Sequence, residues 1–124
     1  MPFIAAHNAP CFQLHGASFT GLASPSRGAT ETAVWLVSLP AHSPATPHRL
    51  TREETLVGLE GRALARVNDE SFEITAGSAV VVPAHALFEL ANPHDTPFRA
   101  VAVLPVGGQA MLQGGEPFTP PWAV

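Results

Sequence analysis

Apolar residues recur along this chain with a period of two rather than 3.6, and Pro or Gly interrupts each segment before a long helix could form. Alternation of that kind is the mark of strands that bury one face. It predicts strands at Thr32–Leu39, Thr55–Leu59, Arg62–Val67, Ser71–Ile74, Ala79–Val82, Leu87–Ala91 and Ala100–Leu104, with turns at Asn68-Asp69, Ala76-Gly77 and Asn92-Pro93. Short strands in this number and spacing predict an all-β antiparallel sandwich or barrel.

Within Thr32–Leu39 one face carries Trp35, Val37 and Leu39 and the other Val34, Leu36 and Ser38, so both are largely apolar. Such a strand lines a barrel interior on one side and meets a second layer or a partner subunit on the other, which makes a homodimer the expected assembly. The ends differ from the middle. Residues 1–18 are weakly periodic, and Val106–Val124 is rich in Gly and Pro, with Phe118 and Trp122 near its close. A segment of that composition is neither helix nor central strand, and its aromatics are expected to pack back onto the domain or across a dimer. The 124 residues are read as one domain, a barrel core at about 32–105 with an extension at each end.

Composition narrows the chemistry. The chain has no Tyr, and all six basic residues are Arg. Schiff-base chemistry, a phosphate-loop lysine and a tyrosine acid or base are therefore excluded. Proton transfer and nucleophilic attack fall to six His, ten Asp and Glu, Cys11 and the hydroxyls. With a net charge of −4 and scattered Arg residues, no basic stripe exists for nucleic acid. No apolar run is long enough to span a bilayer, and the first residues lack the pattern of a signal peptide. The expected setting is the bacterial cytoplasm. Cys11, with no base beside it in the sequence, reads as a small buried hydrophobe.

Two segments carry the informative spacing. The first runs from His42 through Pro47-His48-Arg49-Leu50 and Glu54 to Gly61; the second runs from Gly77 through Pro83, His85 and Phe88 to Asn92. Together they resemble the two motifs of the cupin superfamily. The first family motif reads Gly, five residues, His-x-His, three or four residues, Glu, six residues, Gly; the second reads Gly, five residues, Pro-x-Gly, two residues, His, three residues, Asn. His48, Glu54, Gly61, Gly77, Pro83 and Asn92 fall on the pattern, and 15 residues separate Gly61 from Gly77. The resemblance covers about residues 32–105 and implies a double-stranded β-helix, the jelly-roll barrel.

It also implies a metal site of three His and one Glu, and here this sequence departs from it. Leu50 and Phe88 stand where two of the histidines would be, leaving His48 and Glu54. Two ligands hold a divalent ion weakly, so no cofactor is expected, and Leu50 and Phe88 turn that wall apolar. Both family glycines that flank the site are also replaced, by His42 and His85. They read as solvent-facing loop residues, with replacement metal ligands as the alternative; His7, His15 and His94 read as surface.

His48 and Glu54 admit two readings. One is a hydrogen-bonded pair that braces the barrel. The other is an acid–base pair in which the carboxylate fixes the imidazole's tautomer and raises its pKa while burial opposes the rise. The expectation is a pocket formed by Trp35, Leu50, Leu56 and Phe88, holding a small, mostly apolar molecule. His48 acts there as base and Glu54 as orienting group or acid, in an isomerisation, dehydration or cyclisation. The alternatives are a non-catalytic ligand-binding or sensing protein, and a metal-dependent enzyme of dioxygenase type using His48, Glu54 and either His42 or His85. Glu53 is expected on the solvated face, and Gly58 either widens the cavity or marks a bulge.

Overall fold

The structure, a computed structural model, describes residues 3–124. Eleven strands run in order: β1 Cys11–Leu14, β2 Ala17–Ala23, β3 Thr32–Leu39, β4 His48–Leu50, β5 Glu54–Glu60, β6 Arg62–Val67, β7 Glu70–Thr75, β8 Ala79–Val82, β9 Phe88–Ala91, β10 Phe98–Pro105 and β11 Ala110–Leu112. They form two antiparallel sheets, ordered β1-β2-β3-β10-β5-β8 and β11-β4-β9-β6-β7. This is a jelly-roll β-barrel, as the alternation and the two motifs predicted. Among the described residues no helix is long and apolar enough to cross a membrane.

The alternation becomes packing in β3, where Ala33, Trp35, Val37 and Leu39 are buried and the residues between them are half-buried. Across from them β10 offers small side chains: Ala100 pairs with Val37, and Ala102 lies between Trp35 on β3 and Leu56 on β5. Large side chains thus flank small ones, the arrangement that closes a barrel core at native density. Ile74, Val82, Phe88, Phe98 and Leu104 are all at most 2% exposed. Burial of each contributes about 1.5–3 kcal/mol.

Turns follow from residues that tolerate positive φ. His15 and Gly16, at φ 49° and 82°, close the β1–β2 hairpin as a two-residue loop, and Asn68 at φ 51° begins the β6–β7 turn. Asn92, fully buried, ties the turn after β9 to the end of β3. Its side-chain NH2 donates to the carbonyls of Leu39, Pro40 and Thr96 at 3.3, 3.1 and 2.8 Å, and its Oδ1 accepts the His94 N–H at 3.0 Å. The motif Asn is thus a structural brace.

Four strands were not anticipated. β1 and β2 fall in the stretch around residues 1–23 where Pro10, Gly16 and Gly21 mask the alternation, and β4 and β11 are three residues each, too short to show a period. Cys11 is exposed on edge strand β1, which corrects its reading as a buried hydrophobe. Gly58 does not widen the cavity: a Cβ there would run into the carbonyl of Thr75, so it permits close approach of β5 and β7, opposite a register shift at Arg99/Ala100. Glu53 is exposed, as expected.

A buried acid and a half-buried imidazole on a mainly apolar cavity wall

Between the two sheets lies a cavity of about 110 Å³. β3 contributes Trp35, Val37 and Leu39, β4 contributes His48 and Leu50, β5 contributes Glu54 and Leu56, and β9 contributes Phe88 and Leu90. Each set consists of alternate residues of one strand, which is why a period of two delivers them to one side. The six positions singled out from the sequence, His48, Glu54, Trp35, Leu50, Leu56 and Phe88, all reach this wall.

His48 and Glu54 stand on different sheets. His48 pairs with Phe88 across β4 and β9, their rings edge to face at 5.5 Å and 69°. Its Nδ1–H donates to the Thr46 carbonyl at 3.0 Å. A carbonyl only accepts, so in the neutral ring the proton sits on Nδ1 and Nε2 keeps its lone pair. Burial penalises the imidazolium and holds the pKa below the usual imidazole range, with the Thr46 contact opposing the shift in part.

Glu54 opens β5 opposite Val82 of β8 and is 5% exposed. Among the described residues no group hydrogen-bonds or ion-pairs with its carboxyl, and none of the Arg residues lies on the cavity wall. Burial without a compensating partner pushes its pKa up to about 8. At neutral pH Glu54 is therefore mostly a neutral carboxylic acid, able to donate a proton.

No hydrogen bond or ion pair joins His48 to Glu54, which overturns the bracing pair and also the picture of a carboxylate raising the imidazole's pKa. The orienting group is the Thr46 carbonyl, a backbone atom that no side-chain pattern reveals. His42 and His85 are exposed and form no part of the wall, so the structure does not bring them to His48 and Glu54. Both have positive φ, 59° and 68°, which explains why these loop positions suit glycine. His42 Nε2 instead meets Asp95 at 2.8 Å, and the His85 carbonyl accepts Arg49. The family's metal does not fit this donor set: among the described residues no three His, Cys, Asp or Glu converge as ligands.

The sequence reading missed the rest of the wall. Leu14, Ala17 and Phe19 come from the β1–β2 hairpin together with His15, which is exposed as expected but also borders the cavity; Ser43, Pro44 and Thr46 come from the β3–β4 loop, and Ala110, Leu112, Phe118, Pro120 and Trp122 from the C-terminal segment. Trp122 stacks on Phe19 with centroids 3.8 Å apart and planes within 5°, so the tail aromatics do pack back onto the barrel. Arg27 donates to the Trp122 carbonyl at 3.0 Å, and Ser24 Oγ to the Val124 carbonyl at 2.7 Å. The Trp122 indole N–H is buried without an acceptor, a cost of about 1–3 kcal/mol.

The model of the family described as "Cupin domain" matches residues 35–104, which include every strand bearing His48, Glu54, Leu50 and Phe88. The chain belongs to the cupin family. Among solved cupin-like structures, the polyketide cyclase RemF from Streptomyces resistomycificus superposes with a TM-score of 0.76 at 16% identity, covering 85% of this chain and 79% of that one. An RmlC-like cupin from Shewanella frigidimarina gives 0.72 at 15%, covering 83% and 88%. A sugar phosphate isomerase of the cupin superfamily from Silicibacter pomeroyi gives 0.67 at 19%, covering 78% and 65%. At these identities the likeness establishes the fold, and the cupin scaffold itself does not choose a reaction. No curated protein matches the chain significantly.

Proposed function

We propose that this cupin binds a small, uncharged, mostly apolar molecule in its barrel and moves a proton on it, in an isomerisation, dehydration or cyclisation that needs no metal. One observation carries the reading: His48 and Glu54, whose neutral forms burial favours, share a mainly apolar wall that carries no Arg and whose other polar residues are His15, Ser43 and Thr46. Neutral His48 offers Nε2 as the base, and protonated Glu54 offers its O–H to a developing oxyanion. A carbonyl compound with an acidic C–H fits both: His48 takes the carbon-bound proton while Glu54 donates to the carbonyl oxygen, giving the enol. A carboxylate or phosphate on the ligand would enter with no Arg or Lys on the wall to meet it, so the sugar phosphate named for one structural neighbour suits this wall poorly, and the polyketide named for another suits it better.

Proton transfer can be tested without the natural substrate. The α-hydrogens of 1-tetralone, followed by NMR in D2O, exchange faster in the presence of the protein, and His48→Ala removes at least tenfold of that acceleration. Absence of acceleration, or full activity in His48→Ala, would refute the mechanism. The competing reading, ligand binding or sensing without chemistry, is favoured by the lack of any bond between His48 and Glu54; it predicts that His48→Ala with Glu54→Gln leaves ligand affinity intact and that no exchange occurs.

The same proposal includes a homodimer in the bacterial cytoplasm. Val34, Leu36, Val57, Val101 and Val103 lie in register across β3, β10 and β5 on the outer face of the six-stranded sheet, and all five are only half-buried. A second copy meeting that face would be separated by Leu36→Arg with Val101→Glu. Sedimentation velocity would then show a monomer where the parent protein gives a dimer.

A further inference from the structure

The cavity of about 110 Å³ is small for a ligand site, which ordinarily spans roughly 300–1,000 Å³. It has room for about one ring. Beside it lies an open groove of about 270 Å³ between β1 and the C-terminal segment, lined by Phe12, Gln13, Thr119 and Pro121 together with Leu14, Phe118 and Trp122. These last three also belong to the cavity wall, so the two spaces adjoin across them. With the groove added, the volume enters the ordinary range.

The partition is uneven. Trp122 is a fixed post: its ring lies on Phe19 and its carbonyl is held by Arg27. Phe118 and Leu14 pack against the core but are only half-buried, and although the Phe118 backbone is bonded in both directions to Ala110, rotamer changes of a partly exposed side chain are fast. The post also carries the buried indole N–H that meets no acceptor in the chain.

We propose that the groove is the outer compartment of the same ligand site, joined to the cavity when Phe118 turns aside. Its occupant is the far part of the cavity's own ligand. The ligand class is therefore an uncharged, elongated molecule of two or more rings: the ring with the reacting carbonyl sits beside His48 and Glu54, and the next lies along Trp122. This rests on the cavity being a ligand site, and it adds the ligand's length and the direction in which it leaves.

Two uncharged probes test it: acetophenone, with one ring, followed by calorimetry, and N-phenyl-1-naphthylamine, with three, followed by its own emission. Thr119→Arg and Gln13→Arg each place a charge at an exposed residue that lines the groove and not the cavity. Each is expected to weaken the three-ring probe at least tenfold and to leave acetophenone within twofold. Equal affinity of the three-ring probe in the parent and both variants, or equal loss of both probes, would overturn the groove assignment. Failure of acetophenone to bind the parent protein would instead remove the cavity reading beneath it.

Discussion

Three of the chain's six histidines occupy two opposite settings. His48 is recessed between the sheets, with Phe88 against its ring, a carbonyl fixing its tautomer and burial holding it neutral. His42 and His85 stand in solvent at left-handed backbone positions, 59° and 68° in φ, and the contact His42 makes is an exposed pair with Asp95. Linear spacing set all three beside the same motifs. What separates them is backbone geometry: a left-handed turn sends the chain around a corner, whereas a strand delivers alternate residues to one wall. The loop pair substitutes for glycine, and of these three only His48 reaches the cavity wall.

The sharpest way to break this contrast is to rebuild the family's donor set in the strands. Leu50 lies on the same wall as His48, and Phe88 is His48's cross-strand partner, so Leu50→His with Phe88→His puts three imidazoles beside Glu54. The double variant is expected to bind Zn²⁺ at least 100-fold more tightly than the parent. Thermal unfolding reads it directly, since ligand at 100 times Kd adds about 2.7 kcal/mol. Equal Zn²⁺ response in the parent would mean that the loop histidines reach the site after all.

A smaller effect separates the interior groups by pH. In the unfolded chain Glu54 loses its proton near ~4.3, and in the fold near about 8, so between these values the native state holds a proton the unfolded state has lost, and stability falls as pH rises. His48 acts oppositely: its folded pKa is depressed, so its contribution is lost as pH drops below the unfolded imidazole value of ~6.5. From ~6.5 to 8 the Glu54 slope stands alone, on the order of 1 kcal/mol per pH unit. Urea unfolding across that window should show it in the parent and not in Glu54→Gln. A flat parent profile would mean that the carboxyl has a partner.

The smallest effect belongs to the loops. His42→Gly and His85→Gly relieve a left-handed strain of about 1 kcal/mol, partly offset by greater freedom of the unfolded chain, for a net gain of about 0.5 kcal/mol each. Ketone exchange in both variants stays at the parent rate. A fall in that rate would restore the loop histidines to the site.

The barrel was legible because β3, β6 and β8 have the bounds that alternation predicts, and because six motif residues keep their spacing. The inner wall was legible for the same reason: His48 and Leu50, or Glu54 and Leu56, are two apart on one strand. The outer wall was not. Phe19, Phe118 and Trp122 meet at the cavity from opposite ends of the chain, about a hundred residues apart, and no local period encodes that meeting.

By itself, the sequence determined the all-β barrel, the excluded chemistries and the candidate pair His48 and Glu54, since period and residue type are local properties. Tertiary structure decided how that pair behaves. Glu54 becomes a neutral acid only because its surroundings bring no cation or donor to it, and His48 takes its tautomer from the backbone of Thr46. Desolvation and partner geometry depend on what the rest of the chain places around a group, and the two strands of the hairpin and the C-terminal segment complete that enclosure only after the fold has formed.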